Sequence, residues 1–194
     1  MIDPFIYGGK ETAIPLTLVS TGNYTRFFNK LSEAQQQWVE RNGFTGKSGQ
    51  LLAVPAGNGD IERVCVGVCN LDNFYAIADL PARLPAGVYG LEGTGVRARL
   101  ESLAIGWGLG CYQFDRYKKQ KAIEARLKLP NSCNHPRIQG MVAASSRVRD
   151  LINTPAENMM PQHLSAVVAE LAQTYAGTFD EIVGDDLLTE NYPC

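Results

Sequence analysis

The spacing of apolar residues changes near residue 133, and that change limits the architecture of this chain more than any other feature. Up to Cys133, short apolar runs alternate with helix-forming segments, the pattern of a sheet covered by helices. From Pro136 onward the apolar residues follow helical spacing, interrupted by Pro155 and Pro161.

In the first part, residues 14–19 read as a strand, and Ser32 with Gln35 forms a capping-box pattern that opens a helix closing at Asn42-Gly43. Residues 50–55 and 61–68 flank the turn-rich segment 56–60. Val64, Val66 and Val68 fall on one face, which predicts a β-hairpin. A helix over 72–80 is expected to stop before Pro81, and a strand follows around 88–91. Gly90, Gly93 and Gly95 then precede a helix over 96–105, and residues 120–129 read as one more strand.

In the second part, Ile138, Met141, Val142, Ser145, Val148 and Ile152 share one helical stripe, with Pro136 in the first turn and the end just before Pro155. A further helix runs from Pro161 to Gly177 with Leu164, Val167, Val168, Leu171 and Tyr175 on one face. Residues 178–183 read as a strand and 185–188 as a helical turn. One strand backed by one helix can pair neither its backbone edge nor its apolar face, so the chain is expected to run out inside a domain. The expected division is an α/β domain over 1–133, a linking helix over 134–154 and the first elements of another domain over 155–194.

Charge and hydropathy narrow the function. With 18 basic against 20 acidic residues and a net charge of −2, there is no electrostatic case for nucleic acid as a partner. The charge-free stretch 102–114 carries three glycines and falls short of the roughly 20 apolar residues that span a bilayer. No apolar signal core follows the initiator, so no membrane association and a cytoplasmic location are expected. Five cysteines fit no disulfide framework, since Cys65 and Cys69 in one strand would stand about 13 Å apart, beyond the bridging limit of about 7 Å.

Several residues invite a chemical role and have a plainer reading. Cys133 and His135 have the spacing of two zinc ligands, but no second pair completes a site. The glycines near Gly93 would let backbone amides cradle a phosphate, yet the spacing is neither G-x-G-x-x-G nor a P-loop, and a tight strand-to-helix turn needs glycine anyway. His163 falls in the first turn of its helix, where solvent exposure is expected. Asp185 and Asp186 suit a helix N-terminus, and Glu181 lies nearby. Asn153 and Asn158 flank a proline hinge and are expected to bond locally to backbone. No G-x-S-x-G elbow occurs.

The segments RDLINTPAENMMP (149–161) and EIVGDDLLTENYP (181–193) closely resemble the entry into the catalytic domain of the leucyl aminopeptidase, or cytosol aminopeptidase, family. NGFTGK (42–47) and GWGLGCYQFDRYK (106–118) look like the amino-terminal domain of its bacterial members. The resemblance implies a macrodomain-like α/β domain with a mixed sheet flanked by helices, a linking helix, and a larger α/β catalytic domain, assembled as a homo-hexamer. It also implies two divalent ions, manganese or zinc, a peptide substrate, and a carboxy-terminal catalytic domain as the partner of this part. The family's lysine, aspartate and glutamate ligands lie in K-G-[VI]-x-[FY]-D-[ST]-G-G and N-T-D-A-E-G-R stretches, and neither occurs here. Residues 153–158 mimic the second stretch, but Pro155 replaces the ligand aspartate and Asn158 the glycine. The expectation is therefore an amino-terminal fragment of a metal-dependent leucyl aminopeptidase, inactive alone, with no catalytic, cofactor-binding or metal residue in this chain. The alternative is a nucleotide- or ADP-ribose-binding module.

Overall fold

A computed structural model describes residues 3–192, so Pro193 and Cys194 lie outside it. The chain forms two compact units that divide between Ser146 and Arg147.

The first unit is a six-stranded mixed sheet flanked by helices. Its elements run β1 (Phe5–Tyr7), β2 (Ile14–Val19), α1 (Tyr24–Phe28), α2 (Glu33–Arg41), β3 (Leu51–Pro55), β4 (Ile61–Gly67), a 3-10 turn (Phe74–Ile77), α3 (Leu80–Arg83), β5 (Gly87–Glu92), α4 (Val96–Gly110), β6 (Ala125–Leu129) and the start of α5 (His135–Asn153). The strand order is β1-β6-β5-β2-β4-β3. Only β3 runs antiparallel to its neighbour. The crossovers between parallel strands require helices, and these cover the two faces.

Side-chain alternation along β2 sorts two cores. Leu16 and Leu18 point to one face, where they join Val64, Val66, Tyr89 and Leu127 under Leu103 and Trp107 of α4, with Ile77, Leu80 and Ile138 alongside. Val19 points to the other face, with Cys65, Leu52 and Val54 under Val39, Leu31 and Phe44. The predicted strand at 14–19, the hairpin of β3 and β4, and the Ser32–Gln35 capping box are all present.

Four local expectations give way. The segment 72–80 is not one helix. It breaks into the 3-10 turn, capped where Asn73 Oδ1 accepts the Tyr75 N–H at 3.0 Å, and α3, which Pro81 begins rather than blocks. A proline in a first turn forfeits no hydrogen bond. Helix α4 continues five residues past the predicted end, through Gly106, Gly108 and Gly110. Gly106 and Gly110 let the helix close on the backbone of 74–78, where a Cβ on either would stand 2.7 Å from the carbonyl carbon of Phe74 or Ala78, while Gly108 faces the side chains of Val142 and Phe5. Strand β6 is confined to 125–129, because 120–124 turn aside into side-chain contacts such as Gln113 Nε2 donating to Lys121 O at 2.9 Å.

The second unit carries the rest of α5, a 3-10 turn (Ala156–Asn158), α6 (Pro161–Thr174) and α7 (Asp186–Thr189). Residues 178–183 form no strand, contrary to the sequence pattern. Their backbone meets no adjacent strand among the described residues, so there is no ladder to hold them extended. No helix among the described residues is long and apolar enough to cross a membrane.

Candidate functional site

The parallel strands β2 and β5 lie side by side, but their connections leave in opposite directions, toward β4 and toward β6. Such a divergence opens a crevice at the carboxyl ends of the strands, where α/β sheets hold ligands. Here it is a cleft of about 330 Å³ between the sheet and α1, lined among others by Thr17, Arg26, Lys30, Arg63, Glu92 and Gly93.

Register explains the convergence. Thr17 is aligned with Cys65 of β4 and Glu92 of β5, so the three share the face turned toward α1, and Arg63 joins them two residues before Cys65. Helix α1 has five residues, too few to persist alone. It is held by rings, with Tyr24 stacked on Phe28 at 5.6 Å and Phe27 edge-on to Phe44 at 6.1 Å. Asn23 Oδ1 accepts the Ser20 N–H at 2.8 Å and fixes the approach to the helix. Arg26 and Lys30, four residues apart, thereby line the same cleft.

The charges in this cleft are unusually placed. The ion pairs among the described residues are Arg83–Asp79, Arg99–Asp72, Arg137–Glu101 and Arg147–Glu170, so Arg26, Lys30 and Arg63 have no such partner there. The Thr17 hydroxyl and Arg63 Nε are buried and find no hydrogen-bond partner among the described residues. Thr17 is only 9% exposed. A buried polar group left unpaired costs about 1–3 kcal/mol, which a ligand atom bonded to either group would recover.

The glycine cluster beside the cleft has a packing reason as well. Gly93 has φ 139°, and a Cβ there would stand 2.8 Å from the Leu18 carbonyl oxygen, so β5 can turn into α4 against β2 only without a side chain. The turn by itself requires glycine at this position.

The other singled-out residues do not gather. His135 Nε2 lies 2.9 Å from the Pro130 carbonyl and its ring packs on Tyr7 at 4.5 Å, which occupies it structurally. Burial and the nearby Glu101 carboxylate push the Cys133 thiol up. Exposed His163 accepts the Met160 N–H on Nδ1 at 3.0 Å, capping its own helix. Ser165 donates to Glu181, while Asp185 and Asp186 begin α7. The joint after α5 is closed by Thr154, 6% exposed, whose hydroxyl donates to Asp150 O at 2.6 Å, and by the Asn158 N–H to Pro155 O at 2.8 Å. Among the described residues no three of His, Cys, Asp and Glu come together as a metal site.

The four cysteines described, Cys65, Cys69, Cys111 and Cys133, are free. Desolvation raises the Cys65 thiol to about 11 and the Cys111 thiol to about 12, so both are neutral and unreactive near pH 7.

A family model described as "M17 aminopeptidase, N-terminal domain" matches residues 14–130. The "Probable cytosol aminopeptidase" of Wolinella succinogenes is 25% identical over 171 residues, covering 74% of this chain and 35% of that protein. The crystal structure of the cytosol aminopeptidase of Coxiella burnetii superposes with a TM-score of 0.89 at 29% identity, over 96% of this chain and 41% of that one. A tomato leucine aminopeptidase mutant shares the fold, with a TM-score of 0.68 at 17% identity over 97% of this chain and 46% of its own. The chain thus spans between a third and a half of the length of these proteins. With more than half of its residues matched, the chain belongs to the M17 aminopeptidase family, and its sheet-bearing unit is that family's N-terminal domain.

Proposed function

We propose that these residues are the amino-terminal part of a metal-dependent leucyl aminopeptidase that releases amino-terminal residues from peptides in the cytoplasm. In this reading they supply the accessory and assembly domain, the linking helix and the first elements of the catalytic domain. The carrying observation is the family match over residues 14–130, together with relatives more than twice as long.

The two cations such chemistry needs have no fitting home among the described residues. Two-metal hydrolysis requires several anionic ligands converging in one pocket. Glu181, Asp185 and Asp186 form no group of three donors, and Glu181 is engaged by Ser165. No step of hydrolysis is therefore assigned to side chains of this chain. The reading places the metal ligands in the remainder of the parent, which would form the homo-hexamer. The second unit also leaves apolar side chains open, Ile152 at 76%, Tyr175 at 78% and Leu188 at 73% exposure, a surface suited to burial under further chain.

The 194 residues alone are expected not to hydrolyse leucine p-nitroanilide with added manganese or zinc, and to run as a monomer in solution. A polypeptide extended through the lysine- and aspartate-bearing stretches is expected to recover activity. Metal-dependent turnover by the purified 194-residue chain would refute the proposal.

A further inference from the structure

The cleft beneath α1 carries a feature that the aminopeptidase reading leaves unused. We propose that it binds a small phosphate monoester of a hydroxylated alcohol as its dianion.

Charge selects the ligand class. Arg26, Lys30 and Arg63 supply three positive charges and Glu92 one negative, a surplus of two. A phosphate monoester carries about −1.5 to −2 at pH 7 and offers three strong acceptor oxygens, which complements that surplus; a carboxylate carries a single charge. No carboxylate among the described residues pairs with any of the three cations. At about 330 Å³ the cleft lies at the small end of ligand pockets, which admits a compact ester and not a dinucleotide.

Two residues of the lining, Thr17 and Arg63, each carry a buried polar atom without a partner among the described residues. Thr17, nine-tenths buried, has an unpartnered hydroxyl, and the Arg63 Nε–H is likewise unpartnered. Both line the cleft, and a phosphate oxygen seated between them would give each a partner. Glu92 then serves as the acceptor for a hydroxyl on the ester's alcohol portion.

The test is an NMR titration of the 15N-labelled 194-residue chain with glycerol 3-phosphate, inorganic phosphate and, as a carboxylate control, glycerate. Saturable shifts at the Asn23, Gly93 and Thr94 amides are expected for glycerol 3-phosphate, with Kd near or below about 1 mM. Glycerate is expected to bind about tenfold more weakly. Affinity for glycerol 3-phosphate is expected to fall as pH drops below about 6, where the ester takes up its second proton. Arg26→Gln and Lys30→Gln alter exposed side chains and leave the fold intact, and each is expected to weaken binding about fivefold. Thr17→Val is expected to weaken binding while leaving Tm unchanged or raised, because it removes an unpartnered hydroxyl. The proposal is overturned by the absence of saturable shifts up to about 10 mM glycerol 3-phosphate. It is overturned equally if glycerate binds as tightly, or if Arg26→Gln with Lys30→Gln leaves the affinity unchanged.

Discussion

Replacing Gly106 by alanine sets two known effects against each other in one helix. In an exposed helix interior the change stabilises by about 1 kcal/mol, because alanine gives up less backbone entropy on folding. At Gly106 the added methyl would stand 2.7 Å from the Phe74 carbonyl carbon and closer still to its oxygen. The obstacle is backbone, so no rotamer change relieves it, and either α4 or the 3-10 turn must retreat. Overpacking of this kind costs about 1–3 kcal/mol, and a rigid partner puts the cost at the upper end. The net expectation is a loss of about 2 kcal/mol, a fall in Tm of roughly 4–8 °C for a chain of this size. Gly140 in α5 is the internal control, since it is exposed and a Cβ there would meet nothing within 4 Å. Gly140→Ala should raise Tm by about 2–4 °C. Gly108→Ala should fall between them, because its obstacles are side-chain ends, Val142 Cγ2 at 2.6 Å and Phe5 Cζ at 2.9 Å. Thermal melts followed by circular dichroism would rank the three. If Gly106→Ala proved as stable as the unaltered chain, the packing argument for the glycines of α4 would be wrong.

Ser32→Ala should cost about 1 kcal/mol in urea denaturation, because it removes the acceptor that caps α2 at the Gln35 N–H. Alkaline pH should weaken the fold through its buried thiols. Cys65 and Cys111 ionise at about 11 and about 12 when folded, and in the ordinary thiol range near 9 when unfolded. Their contribution is therefore intact below pH 9 and is lost above it, at about 1.4 kcal/mol per pH unit for each thiol up to the folded value. Denaturation measured from pH 8 to 11 should show this decline, and Cys65→Ala should reduce its slope; an unchanged slope would refute the assignment. At pH 8 a thiol reagent should label exposed Cys69 well before Cys65 or Cys111, read by mass spectrometry of digested protein.

Features set by neighbouring residues were legible in the sequence, and features set by distant ones were not. Ser32 and Gln35 lie within one helical turn of each other, and the valines of β4 alternate, so both elements could be read from spacing alone. Pro81 was misread because proline ends one helix and begins another with the same ring, and only the surroundings decide between them. The pattern at 178–183 has strand character without a strand beside it, a condition no local rule detects. The cleft was missed for a related reason. The four-residue spacing of Arg26 and Lys30 was a signal, but Arg63 and Thr17 join them only through the register of β2 against β4.

The pairing of β1 with β6 has a consequence for biosynthesis. Phe5 lies opposite Leu127, so the earliest strand to leave the ribosome must wait for the latest before it acquires a hydrogen-bonded neighbour. At roughly 5–20 residues per second, that interval lasts about 6 to 24 seconds, during which β1 has no place in the sheet. Slowing translation just before residue 125 would prolong this vulnerable period, and because the two strands run parallel, a circular permutant that placed them in succession would shorten it only with a crossover linker of about a dozen residues or more.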